Sequence, residues 1–240
     1  MSETVGPRTR SQLRRLASSW EQGQHVIVSG STGSGKTALA RQIMNIRIVN
    51  KGFVVVFVAK LQEDKTITDD YKGFVRWKEW KKTSDPSQNK ILLWPDVTKA
   101  SSLKEAREIQ RKVFLDAINK LARIGKWTVV FDEGLYMCAP SFMNLADEIA
   151  MLHALGRSAG LTILTNMQRP SNVPLILYGS AAHAFVGRTR ERADLARLSE
   201  LGGKVSAKDL QGRLSSQGRH DFLWIPVAPD WNPETVNLRK

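Results

Sequence analysis

The residues best placed to do chemistry are Gly30, Ser31, Thr32, Gly33, Ser34, Gly35, Lys36 and Thr37, which follow the apolar run 25–29 and lead into a helix-forming run. Glycines let a backbone curl tightly enough for several N–H groups to face one phosphate, and the following helix adds the positive end of its dipole. A lysine at the end of such a loop reaches the β- and γ-phosphates, and the hydroxyl after it ligates Mg²⁺. The segment therefore reads as a binding loop for ATP or GTP, with Lys36 as the phosphate cation and Thr37 as a metal ligand.

About one hundred residues further on, the apolar run 127–131 ends in Asp132-Glu133, the form of a Walker B motif. Strand alternation points the two side chains differently, so one carboxylate can hold the Mg²⁺ shell while the other faces an attacking water. Asp132 is assigned to the metal and Glu133 to polarising the nucleophile. The adjacent acids favour hydrolysis over transfer to a bound hydroxyl, which sets the reading apart from a small-molecule or nucleoside kinase.

These groups need a scaffold, and the chain spells one out by alternation. Strands are expected at 25–29, 53–59, 90–94, 127–132, 161–166, 182–186 and 221–227, with helices at 36–48, 102–124, 141–157, 174–180 and 190–201. Such alternation implies an α/β fold with a mostly parallel sheet covered on both faces. In the helix at 102–124, Leu103, Ala106, Ile109, Val113, Ala117 and Leu121 form the expected sheet-facing stripe, and Gly125 ends it. Residues 1–22 read as a basic arm or docking helix, 23–227 as the catalytic domain with a polar excursion at about 60–89, and 228–240 as a tail.

A chain of 240 residues with 42% hydrophobic content can build a real core. Its single cysteine, Cys138, excludes an internal disulfide and fits a reducing, cytoplasmic setting. No run approaches the ~18 apolar residues of a membrane helix, so no membrane partner is expected. A net charge of +13 and a pI near 10.1 draw in a polyanion, and nucleic acid is the natural one. Within the excursion, Phe74, Trp77 and Trp80 recur every third residue among Lys72, Arg76, Lys78, Lys81 and Lys82. That spacing suits a short amphipathic helix packing its rings inward, with the lysines left for phosphates. No base-reading motif is present, so contact without sequence specificity is expected.

The stretch from Arg157 through Leu161-Thr162-Ile163-Leu164-Thr165-Asn166-Met167 to Gln168-Arg169-Pro170-Ser171, following Asp132-Glu133, resembles the FtsK/HerA superfamily of ring-shaped DNA-pumping ATPases over about residues 25–202. The resemblance implies a RecA-like P-loop NTPase that uses ATP and Mg²⁺ and works as a pentameric or hexameric homo-oligomeric ring on double-stranded DNA. By the same resemblance Gln168 is the polar sensor of the γ-phosphate, and Arg157 the arginine finger offered to the neighbouring subunit. Arg157 also suits a helix C-terminus for its dipole, and Arg188 and Arg190 compete for the finger's role. Among superfamily functions, a viral genome-packaging motor is favoured, with a capsid or portal protein as partner and the host cytoplasm as location. A cellular or conjugative pump and an ATP-gated DNA-binding module are the alternatives.

Overall fold

Val26, Ile27 and Val28 are buried without alternation, as are all residues of 53–57 after Phe53 and all of 127–131 and 162–167. Strands apolar on both faces belong in the middle of a parallel sheet. In the computed structural model, which describes residues 13–14, 17–18, 20–81, 88–201, 206–226 and the backbone of 234–237, this is where they lie. The chain runs β1 (His25–Ser29), α1 (Lys36–Lys51), β2 (Phe53–Phe57), α2 (Lys65–Asp70), β3 (Val75–Trp77), β4 (Lys90–Leu93), α3 (Leu103–Ile124) and β5 (Trp127–Phe131). It continues through α4 (Gly134–Cys138), α5 (Ala146–Ala159), β6 (Thr162–Met167), α6 (Ile176–Gly179), β7 (Ala181–Gly187), α7 (Arg192–Ser199), α8 (Ala207–Ser215), β8 (Asp221–Pro226) and β9 (Glu234–Asn237).

One nine-stranded sheet has the order β3-β4-β2-β5-β6-β1-β7-β8-β9. Strands from β3 to β7 in that order are parallel, and β8 and β9 run antiparallel at one edge. This is the α/β architecture with a mostly parallel central sheet expected from the alternation. Successive strand residues serve opposite faces. Ile27, Val55, Val129 and Ile163 pack with α3 and α5 on one side, whereas Val26, Val28, Val54 and Val56 pack with Leu39, Ile43 and Met44 of α1 on the other. Leu13, Ala17 and Trp20 are buried in this second layer. Arg47 secures the segment after them by donating to Trp20 O at 2.6 Å and Thr162 Oγ1 at 3.0 Å. The expected arm residues 1–12, together with Lys82 and most of the tail, lie outside the described residues.

Several expectations need correction. The buried face of α3 is Ala106, Gln110, Phe114, Ala117, Ile118 and Leu121, while Leu103 is 66% exposed and Ile109 and Val113 are only partly buried. Ala106, Ala117 and Leu121 of the expected stripe are thus buried, whereas Leu103 sits in the first turn, where the Ser102 hydroxyl caps the helix by accepting from Glu105 N. The expected helix at 141–157 begins at Ala146, after the separate short α4. The aromatic segment forms no helix of its own: a turn after α2 leads into edge strand β3. Its rings nevertheless pack inward, with Trp77 buried and Trp80 5.3 Å from Trp127. Among the described residues no helix is long and apolar enough to cross a membrane.

Candidate active site

Strands β5, β6 and β1 are neighbours, so the segments that leave their C-terminal ends meet. The phosphate loop leaves β1, the paired acids leave β5 and Gln168 leaves β6. Register sets the fine alignment, with Ser29 opposite Met167 and Phe131 opposite Thr165. Asp132 therefore falls beside Asn166, and Gly30 N closes the strand-to-loop junction by donating to Met167 O at 3.2 Å.

The loop curls through Gly33 at φ 75° and Gly35 at φ 98°, the left-handed region that favours glycine. Lys36 Nζ lies across it, donating to Gly30 O at 2.8 Å and Ser31 O at 2.9 Å. Burial lowers the Lys36 pKa, opposed by the negative charges of Glu133 and Asp132. A cleft of about 760 Å³ opens beside the loop, and its walls include Thr32, Lys36, Thr37, Lys60, Arg107, Asp132, Glu133, Tyr136 and Gln168.

Asp132 is oriented from two sides. Asn166 Nδ2 donates at 3.0 Å and the buried Tyr71 hydroxyl at 3.3 Å, both to Oδ1. Burial raises the pKa of Asp132, and these two hydrogen bonds pull it back. The hydroxyl of Thr37 and a carboxylate whose two protein partners share one oxygen are hard donors facing one cleft, which fits Mg²⁺ with retained waters and phosphate oxygens. Burial raises Glu133 as well, while its bond from Gln168 opposes the rise.

Gln168 uses both ends of its carboxamide. Nε2 donates to Glu133 Oε2 at 3.1 Å, and Oε1 accepts from Thr32 Oγ1 at 3.1 Å. One side chain thus joins the acid after β5 to the loop after β1.

Arg157 lies elsewhere. It occupies the exposed last turn of α5, where Gly160 N caps its carbonyl, and its Cα faces Gly23 just before β1. That is the edge formed by the N-terminal ends of the parallel strands, opposite the C-terminal edge that carries the phosphate loop, so Arg157 does not enter the cleft of its own chain. Arg188 and Arg190 are exposed and follow β7 on the nucleotide edge, where Gly187 packs against Gly30.

Sequence reasoning missed Tyr71, Asn166, Arg219 and His220. Arg219 Nε donates to Gly33 O at 3.3 Å, and the His220 ring meets Ser34 O at 3.1 Å, so the turn before β8 braces the loop from outside the cleft. Asn166 could have been found as the polar strand residue two positions before Gln168. Tyr71 and Arg219 carry no local signal.

The family described as Novel STAND NTPase 3 matches residues 9–132. No curated protein matches the sequence. Among solved structures, the DNA-packaging ATPase of Sulfolobus Turreted Icosahedral Virus is 18% identical, with a TM-score of 0.61 over 90% of this chain and 98% of that one. The genome packaging NTPase of Sulfolobus turreted icosahedral virus 2, solved with AMPPCP, is 16% identical, with a TM-score of 0.58 over 89% of this chain and 97% of that one. VirB4 of Thermoanaerobacter pseudethanolicus is 11% identical, with a TM-score of 0.64 over 90% of this chain and 89% of that one. These likenesses agree with the fold expected from the FtsK/HerA resemblance. The phosphate loop, the paired acids and the matched family converge: the chain belongs to the Novel STAND NTPase 3 family and is a P-loop ATPase.

Proposed function

We propose that this ATPase drives double-stranded DNA without sequence specificity, as a ring of five or six copies, in the packaging of a viral genome. The observation that carries the reading is the match to a DNA-packaging ATPase along nearly the whole of both chains. The charge of +13 supports it, as do exposed Arg188, Arg190 and Arg219 on the nucleotide edge. The likeness to VirB4 favours a conjugative or cellular pump as the second reading. The catalytic domain is taken as 23–227, with 1–22 as a docking arm and 228–240 as a tail. The proposed location is the host cytoplasm at a capsid vertex, against a capsid or portal protein.

In this reading the amides of Gly30 to Thr37 hold the triphosphate of ATP and Lys36 leaves its loop carbonyls for the β- and γ-phosphate oxygens. Thr37 and Asp132 would hold Mg²⁺, which would supply neutralisation of phosphate charge. Glu133 orients the attacking water and is placed to accept its proton. Gln168 exchanges Thr32 for the γ-phosphate or its water and so registers hydrolysis. Arg157 of one copy reaches the phosphates of the next and stabilises transferred charge.

ATPase rates with and without long duplex DNA test this reading. Strong stimulation is expected, and an unaffected basal rate contradicts it.

A further inference from the structure

Asp194 is 1% exposed and lies in the first turn of α7, outside the nucleotide cleft. Among the described residues its hydrogen bonds go to one short stretch on either side of Pro170. Arg169 Nε donates to Oδ2 at 2.8 Å, while Ser171 donates to Oδ1 from its amide at 3.0 Å and from its hydroxyl at 2.7 Å. Burying a carboxylate is costly unless its oxygens are satisfied, and these donors satisfy both. The start of α7 adds a favourable dipole, so the charge is well anchored on the helix side. What it anchors is the loop.

Gln168 immediately precedes that stretch. On its other side Met167 O is held by Gly30 N at 3.2 Å, so the Gln168 backbone is fixed between the phosphate loop and α7. A carboxamide spanning two partners, each at 3.1 Å, tolerates little displacement of its backbone. The far side of this clamp also returns to the loop: α7 packs on α8, and the turn after α8 carries Arg219, which donates to Gly33 O.

We propose that Asp194 is a positioning residue for ATP hydrolysis: by fixing Arg169 and Ser171 it holds Gln168 where the carboxamide can span Thr32 and Glu133. The proposal rests on the reading of Gln168 and Glu133 as working groups of the hydrolytic site, and it is independent of DNA movement.

The test is DNA-free ATPase kinetics on the full chain, comparing wild type, Asp194→Asn, Gln168→Ala and the double variant. Asp194→Asn should lower kcat about tenfold while leaving KM for ATP within about twofold, the pattern of a group that matters in the transition state and not in binding. In the Gln168→Ala background it should have no further effect, because the two substitutions remove one function. Should Asp194→Asn fail to fold, Ser171→Ala removes a single hydroxyl bond and should lower kcat by a smaller factor, again only when Gln168 is present. A folded Asp194→Asn enzyme with normal kcat, or independent multiplying losses in the double variant, would overturn the proposal. Normal kcat in Gln168→Ala would overturn the Gln168 role along with it, whereas a defective Gln168→Ala beside an unaffected Asp194→Asn would overturn this proposal alone.

Discussion

Gln168 donates to Glu133 at 3.1 Å while its other end accepts from Thr32, so the acid after β5 and the phosphate loop after β1 are joined by one carboxamide. Bond lengths of this order are ordinary, and in the proposed function a γ-phosphate or its water competes for either end of the side chain. That competition is the physical basis for a sensor.

Glu133→Gln keeps the shape and the hydrogen-bonding reach of the side chain but removes its basicity. ATP binding should persist while turnover falls about one hundred- to ten thousand-fold. Nucleotide-binding titration beside steady-state ATPase checks this, and matched losses in both would place Glu133 in binding instead.

Arg157 sits away from its own phosphate loop, so the finger role proposed for it requires assembly. In assembled protein Arg157→Ala should cost about a thousand-fold in kcat, the order seen when a trans arginine is withdrawn. Arg188→Ala and Arg190→Ala, on the nucleotide edge, are the comparison. Near-normal ATPase in assembled Arg157→Ala with a large loss in either of the others would transfer the finger's role.

Gly33→Ala meets one lasting obstacle. At φ 75° a Cβ is strained by about 1–2 kcal/mol, whereas its 2.9 Å approach to Arg219 Nη2 is relieved by a small swing of that exposed side chain. Weaker nucleotide binding is expected, with no recovery when Arg219→Ala is added, since the dihedral strain remains and the bond to Gly33 O is lost. Full recovery would show that the backbone conformation is unimportant.

Acid should destabilise the fold through its buried histidines. His25 Nδ1 accepts from Ile163 N at 3.1 Å, which leaves Nε2–H for His153 O. Burial lowers all three pKa values, His153 and His183 to about 3 from an ordinary 6.5. With folded values below unfolded ones, the unfolded chain binds more protons between pH 6.5 and about 3, so stability falls as pH drops through that window. At pH 5 each of His153 and His183 should cost about 2 kcal/mol relative to neutral pH. Urea unfolding at pH 7 and pH 5 measures the difference, and equal midpoints would contradict it.

The parts legible in the sequence were those whose chemistry is local. Gly30 to Thr37, Asp132-Glu133 and Gln168 each follow an apolar strand directly, and parallel pairing brings such strand ends together without further information. Tyr71 and Arg219 escaped notice because their partners are 61 and 186 residues away, and nothing in their neighbourhoods signals the encounter. Phe114 and Ile118 were passed over in α3 because Leu103 offered an equally regular phase, and only docking on the sheet decides between two such stripes. The spacing of Phe74, Trp77 and Trp80 misled on element type but not on burial, since an edge strand and its flanking turns can also point rings inward.

Movement of DNA is the central claim, and displacement of a third strand from a long duplex tests it most directly. The assembled wild-type protein should release the third strand in an ATP-dependent manner, and Glu133→Gln should hold duplex DNA without releasing it. DNA-stimulated ATP hydrolysis with the third strand left in place would contradict translocation and favour an ATP-gated DNA-binding module.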